Sequence, residues 1–312
     1  MAIVANTYTT YDTTGIREQL DDVIYNIAPT ETPFASGIAK GKAENVFFEW
    51  TIDTLGSAAN NAQLDGDDVS SFTAITPPVR IGNRCQISRK VFLVSGTEQA
   101  IKKAGRPEEV AYQIALKGKE LKRDIETALT QNTTAVTGTT SVARQTRGLE
   151  GWVATNNNLG ASGVAPNPTT NTAPTDGTQR AFTEAMLKDI QQKVFSAGGN
   201  ADTLMVGPTQ KQVVSTFAGN STRFDKGEDM KVYAALEIYV GDFGEIKVVP
   251  NRFIRNRTAF LLQLDMWQLM QLRPMATEEL AKTGDADKRM LITEYGLKSK
   301  QEAASGAVRD LT

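Results

Sequence analysis

Two stretches of alternating polarity dominate the hydrophobic pattern of the chain. In NVFFEWTID, Val46, Phe48, Trp50 and Ile52 fall on one side, and Glu49, Thr51 and Asp53 on the other. In PPVRIGNRCQISRKVFLV, Val79, Ile81, Cys85, Ile87, Val91 and Leu93 share one parity, and Arg80, Arg84, Gln86 and Lys90 take the other. A period of two marks a half-buried strand, so the spacing predicts two long strands of a hairpin. Between them runs GSAANNAQLDGDDVSSFTAIT, small, polar and turn-prone from Gly56 to Thr76. A tight turn costs less. Making a two-residue loop roughly tenfold longer adds about 2 kcal/mol of closure entropy, and a lone two-stranded ribbon is already marginal in water. Contacts from outside the hairpin must offset that cost.

Elsewhere the period is helical. Ile16, Leu20, Val23, Ile24 and Ile27 form one short amphipathic stripe that stops at Ala28-Pro29, and TETPFASGIAKGKA follows it. That segment is too small for a core of its own and reads as an arm that packs on something else. RPEEVAYQIALKGKELKRDIETALTQN is the strongest helix, with Pro107 at its start and Val110, Ile114, Leu121, Ile125 and Leu129 as its stripe. Gly118 sits on that stripe at a cost of about 1 kcal/mol against Ala, which close approach of another backbone would justify. From Thr133 to Thr178 the chain is rich in Thr, Asn, Gly and Pro, apart from the apolar island GLEGWVAT around Trp152. Beyond it come a helix carrying Phe182, Met186, Ile190 and Val194, a strand DTLMV, and a helix opened by Pro208. Strand-like runs follow at KVYAALEIYVG, EIKVVP, AFLLQLDMWQLMQL and RMLITEYGL. Helices and strands interleave with no regular βαβ repeat, which makes the fold class α+β.

Composition narrows the chemistry. The 312 residues include 34 Lys plus Arg against 36 Asp plus Glu, so the chain lacks the basic balance of a dedicated nucleic-acid binder. Histidine is absent and Cys85 is the one cysteine. A zinc site, a Ser-His-Asp triad and a Cys-His dyad are therefore excluded, as is an intramolecular disulfide. Cys85 lies on the apolar parity and reads as a small hydrophobe. No GxGxxG opens a helix, and SGIAKGKA lacks the glycine and hydroxyl of a phosphate loop. Asp65, Asp67 and Asp68 in DGDDVSS suggest calcium only superficially, because the spaced ligands and late Glu of an EF-hand loop are missing. They read instead as a solvated or intersubunit acidic tip. Arg80, Arg84 and Lys90 are expected to pair with acids such as Glu49 and Asp53, or with a neighbour. No catalytic residue, cofactor or metal is expected, nor any membrane span.

The order of parts is an arm with a short helix, a long-tipped hairpin, a long isolated helix, then a mixed body returning to late strands. It resembles the major capsid proteins of tailed bacteriophages, the Hong Kong ninety-seven type shell fold. The opening TYDTTGIREQLDDVIYNIAPTETPFASGIAKGKA is similar, more narrowly, to the head proteins that share a ydttG.re.L.dvi.niaP.etPf pattern. The resemblance implies an N-terminal arm over residues 1–43, an extended hairpin loop over 44–94 and a peripheral domain with the spine helix over 95–132. It further implies an axial domain over 133–259, with 260–312 supplying the return strands of the peripheral domain and a C-terminal tail.

Function then follows as an expectation: self-assembly through pentamers and hexamers into an icosahedral head around double-stranded DNA, with procapsid maturation, in the virion, after assembly in the host bacterial cytoplasm. With Met1 directly before the arm, the resemblance implies a separate scaffolding protein and no N-terminal processing. A portal protein, a decoration protein and weak, sequence-independent DNA contact complete the expected partners. An encapsulin-like cellular shell is the alternative with the same fold. The expected intersubunit contacts are Phe48, Trp50, Ile52, Asp65, Asp67, Asp68, Arg80, Ile81, Arg84 and Ile87, with the apolar hairpin face as the main area buried between copies.

Overall fold

A computed structural model describes residues 31–56, 58–63, 65, 66, 72, 74–101, 108–217 and 238–312. The helical stripe from Ile16 to Ile27, Pro107, Asp67, Asp68 and most of KVYAALEIYVG lie outside the described residues. In chain order come α1 (Pro33–Gly37), β1 (Ala39–Lys42), β2 (Phe47–Ile52), β3 (Val79–Arg84), β4 (Gln86–Ser95), α2 (Gly96–Ala100) and α3 (Glu109–Thr130). Then follow β5 (Asn156–Asn158), α4 (Glu184–Ser196), β6 (Thr203–Val206), α5 (Pro208–Val214), β7 (Ile238–Gly241) and β8 (Gly244–Pro250). The last elements are β9 (Thr258–Leu262), β10 (Trp267–Leu280), β11 (Ala286–Ser299) and β12 (Gly306–Arg309).

These strands form a four-stranded sheet ordered β1-β10-β11-β4, a six-stranded sheet ordered β5-β12-β9-β6-β8-β7, and the hairpin β2-β3. The first sheet carries α3 on one face. Leu121, Ile125 and Leu129 of the helix stripe are buried there with Leu291, Tyr295 and Leu297 of β11. The second sheet carries α4, whose Leu187, Ile190 and Val194 meet Leu204, Val206, Ala259 and Val308. Pro274 sits in β10 past Gln271, the last residue that β1 reaches. There the strand has become an edge, the place where a residue without an N–H is tolerated, and the register slips around it.

Sequence runs that looked continuous are divided between the sheets. AFLLQLDMWQLMQL breaks at a short turn, Leu264–Met266, so that β9 belongs to the six-stranded sheet and β10 to the four-stranded one. β12 also returns to the six-stranded sheet, between β5 and β9. Residues 260–312 therefore contribute strands to both sheets. Which sheet a strand joins is set by its distant partners, which its own pattern does not encode.

The long polar stretch after α3 is held from within the chain. Asp310, 2% exposed, accepts hydrogen bonds from the amides of Gly160 (3.0 Å) and Gly177 (2.6 Å). Arg255 joins the buried Glu150 (Nε to Oε1, 2.9 Å) to Asp176 (Nη1 to Oδ2, 2.9 Å). The Asn171 carboxamide clasps Ala135 through both its oxygen (3.0 Å) and its nitrogen (2.7 Å).

The first described helix, α1, is fastened to α3 by one carboxylate. Glu126, fully buried, accepts from Phe34 N (2.8 Å), Ala35 N (2.7 Å) and Asn251 Nδ2 (2.6 Å). It thus caps α1 from another helix, in place of a side chain of α1's own. Burial pushes its carboxyl above the usual range, and the donated N–H bonds restrain the shift. Beside it Phe34 is buried, edge-on to Trp267 at 6.1 Å. Gly118 has no such explanation, because a Cβ there would meet nothing nearer than Leu291 Cδ2 at 3.8 Å. Among the described residues no backbone makes the expected close approach.

Two substitutions check these assignments by denaturant midpoint. Glu126→Ala leaves the Phe34 and Ala35 amides without their acceptor and is expected to destabilise the subunit by about 3 kcal/mol. Gly118→Ala is expected to stabilise it by up to about 1 kcal/mol.

Candidate functional site

The hairpin has a covered root and a bare tip. β2 and β3 pair from Phe47↔Arg84 to Ile52↔Val79, and pairing ends there. On the inner face Phe48 stacks on Trp50 (5.8 Å) and Trp50 tilts against Trp152 (5.4 Å). Arg147 lies over Trp152 at 4.4 Å, and Lys298 lies over Trp50 at 5.4 Å. Such ring contacts contribute about 0.5–1.5 kcal/mol each beyond the area they bury.

Asn83, fully buried, ties this root to the body. Its Nδ2 donates to Thr146 Oγ1 (3.0 Å), Arg147 O (3.3 Å) and Leu297 O (2.6 Å), and its Oδ1 accepts from Arg147 N at 2.9 Å. Arg147 is itself 2% exposed, and burial drives its guanidinium down to about 10. Its compensation comes from the Trp152 face and from Asn171 Oδ1, which accepts from Nη2 at 2.7 Å.

The chain itself covers part of the expected contact set. Ile81 is 8% exposed and belongs to the chain's own core, while Phe48, Trp50 and Ile52 are half-buried, the latter two packed against that core. The apolar root face is covered by the parent chain, because the GLEGWVAT island supplies Trp152 to receive it. Arg80 pairs with Glu49 across the hairpin's outer face, as expected. Lys90 pairs with Asp124 of α3 (2.7 Å), and the Arg84 guanidinium lies 4.6 Å over the Phe47 ring. Asp65 is exposed at the tip.

The single long strand is also two. The chain breaks at Cys85, and the exposed parity reverses in meaning across the break. In β3 the odd positions Ile81 and Asn83 are buried, whereas in β4 the odd positions Ile87, Val91 and Leu93 are 44%, 51% and 61% exposed. The even positions of β4 turn to α3, through the Lys90–Asp124 pair and the buried Val94. Ile87 therefore does lie on a free surface. At the tip, Leu55, Phe72 and Ile75 are 99%, 89% and 93% exposed and touch almost nothing in their own copy.

Asn83, Arg147, Trp152 and Glu126 were not among the expected functional residues. Asn83 did leave a trace, as the polar residue among the apolar parity Val79, Ile81 and Cys85. Among the described residues no group of three or more His, Cys, Asp or Glu is placed to hold a metal, and no helix is long and apolar enough to cross a membrane.

A helix of the arm segment held on a long helix, a hairpin with a bare tip, and two separate sheets define the tailed-phage shell fold. Solved structures agree on it. The cyanophage A-1(L) capsid subunit superposes with a TM-score of 0.62 at 17% identity, covering 97% of this chain and 98% of its own. The assembly of phage G gp27 major capsid proteins and gp26 decoration proteins gives 0.56 at 10% identity, covering all of both chains. The major capsid protein of Escherichia phage Phieco32 is 29% identical over 350 aligned residues, 96% of each chain. The family profile of the SU10 major capsid protein matches residues 4–312. The chain belongs to that family, and its function is that of a tailed-phage major capsid protein, part of the virion shell. The encapsulin alternative is not favoured by these relatives.

Two measurements test the root. Trp50→Ala is expected to destabilise the isolated subunit by about 3 kcal/mol, the low end for an aromatic truncation, read by thermal melting. The Cys85 thiol is fully buried and pushed up to about 11 by burial, with Glu294 adding to the shift. At pH 8 a thiol reagent is expected to label it only on unfolding.

Proposed function

We propose that this chain encloses the packaged double-stranded DNA of its phage in an icosahedral head, with the hairpin tip as the arm that each subunit lays on another. The observation that carries this reading is the tip itself. Leu55, Phe72 and Ile75 stand almost wholly in water on an extension whose root is fixed by Asn83 and Trp152. Large apolar side chains held out in this way are explained by burial in an assembly. Many such weak contacts, closed into pentamers and hexamers, give avidity that no single contact has.

The division of labour within the subunit follows the sheets. Residues 1–43 serve as arm and 44–94 as extended hairpin. The four-stranded sheet with α3 serves as the peripheral layer, and the six-stranded sheet with α4 and α5 as the axial layer around capsomer centres. Ile87 and Asp65 remain contact residues in this reading, joined by Asp67 and Asp68 in the tip sequence. A scaffolding protein, a portal and a decoration protein are its further partners, and assembly takes place in the host bacterial cytoplasm. Phage G supports the decoration partner by analogy, since its major capsid protein is accompanied by gp26 decoration proteins. We read the role as structural and non-catalytic. With 34 basic against 36 acidic residues, contact with DNA is sequence-independent and weak per subunit.

Leu55→Asp combined with Ile75→Asp is expected to leave a folded subunit, by circular dichroism, that no longer forms particles tens of nanometres across in light scattering. Full-size particles from this variant would remove the hairpin from the assembly contact.

A further inference from the structure

The stack at the hairpin root holds more donors than its own residues can satisfy. Lys298 lies over the Trp50 ring, Trp50 tilts against Trp152, and Arg147 lies over Trp152 from the loop that follows α3. The nitrogens of all four side chains donate and none accepts. Among them Trp50 Nε1, Trp152 Nε1, Arg147 Nε and Arg147 Nη1 are screened from solvent and reach no acceptor among the described residues. The third tryptophan shows the ordinary arrangement, with Trp267 Nε1 donating to Ser305 Oγ at 3.0 Å.

Charge in the stack is as one-sided as its hydrogen bonding. Arg147 is buried and enters no ion pair among the described residues, so burial lowers its guanidinium with no carboxylate to oppose the shift. The acids that could have served are engaged elsewhere: Glu150 with Arg255, and Glu294 with Arg144 and Arg273. Asn171 Oδ1 already accepts from both Ala135 N and Arg147 Nη2. A buried cation with free donors calls for an acceptor that carries negative charge. Water answers only part of that need, since it brings further donors and no charge. The acceptor must also be small. Trp152 is fully buried and Arg147 nearly so, which shuts out a carboxylate or phosphate carried on a larger molecule.

We infer that this stack binds one monovalent inorganic anion of halide size, with Arg147 Nε and Nη1 as its charged donors and the Trp50 and Trp152 N–H groups as its neutral ones. Trp50 belongs to β2, whereas Arg147 and Trp152 belong to the body, so the bound anion tightens the attachment of the hairpin to its own subunit. The site lies within one copy and is independent of the proposed role of the tip.

Chloride and bromide are the probes, applied to the folded subunit, with gluconate, too large to enter, holding the ionic strength constant. The melting temperature is expected to rise with the logarithm of chloride concentration, as for a ligand that binds only the native state. Bromide, a heavy-atom quencher, is expected to reduce tryptophan emission along a saturating curve that spares Trp267. Trp50→Phe keeps a ring and removes one donor, and is expected to raise the half-saturating bromide concentration about tenfold. Arg147→Lys keeps the charge and removes the fork, and is expected to act in the same direction; should it fail to fold, Trp50→Phe decides alone. Equal melting temperatures in chloride and gluconate, with strictly linear bromide quenching, would show that water suffices and overturn the site. Saturable quenching with an unchanged midpoint in Trp50→Phe would place the anion elsewhere and overturn it as well.

Discussion

The fold hangs on how the hairpin root is fastened. A two-stranded ribbon cannot hold itself straight in water, yet this one must present a tip far from the body. Asn83 solves the problem by bonding at once to the loop at Thr146 and Arg147 and to β11 at Leu297. The Trp50–Trp152 contact beside it makes the ribbon part of the main core. The cost is a desolvated arginine, Arg147, offset by an indole face and a carboxamide instead of a carboxylate. The exposed apolar side chains are thereby left away from the root, at the tip and on β4.

A second fastening does the same for the arm. Glu126 takes the exposed amides at the start of α1 and the Asn251 side chain together. One residue of the long helix thus joins the arm to the turn after β8, which leads out of the six-stranded sheet. α1, α3 and the turn after β8 therefore share a joint, and displacing any one of them breaks hydrogen bonds to a buried carboxylate.

Local regularity made the hairpin, the spine helix and the α+β class readable from sequence, and the N-terminal pattern made the family readable. The reversal at Cys85 was not readable, because a strand's parity says that one face is apolar and not whether the parent or a stranger covers it. Ile81 and Ile87 look equivalent in the chain, yet only the first joins the core that includes Trp152. The split of β9 from β10 escaped for a similar reason, since both are apolar runs and their sheets are chosen by residues far away. Nothing in the helix pattern marks Glu126, and only the arrival of α1 makes it a cap.

The order β5-β12-β9-β6-β8-β7 bears on how the subunit is born. The strand Gly306–Arg309 fills a gap between β5 and β9, so the six-stranded sheet stays open while everything before residue 306 emerges from the ribosome. Long-range closure of this kind is slow compared with helix formation. A nascent chain therefore lacks a finished six-stranded sheet until translation has passed its last strand.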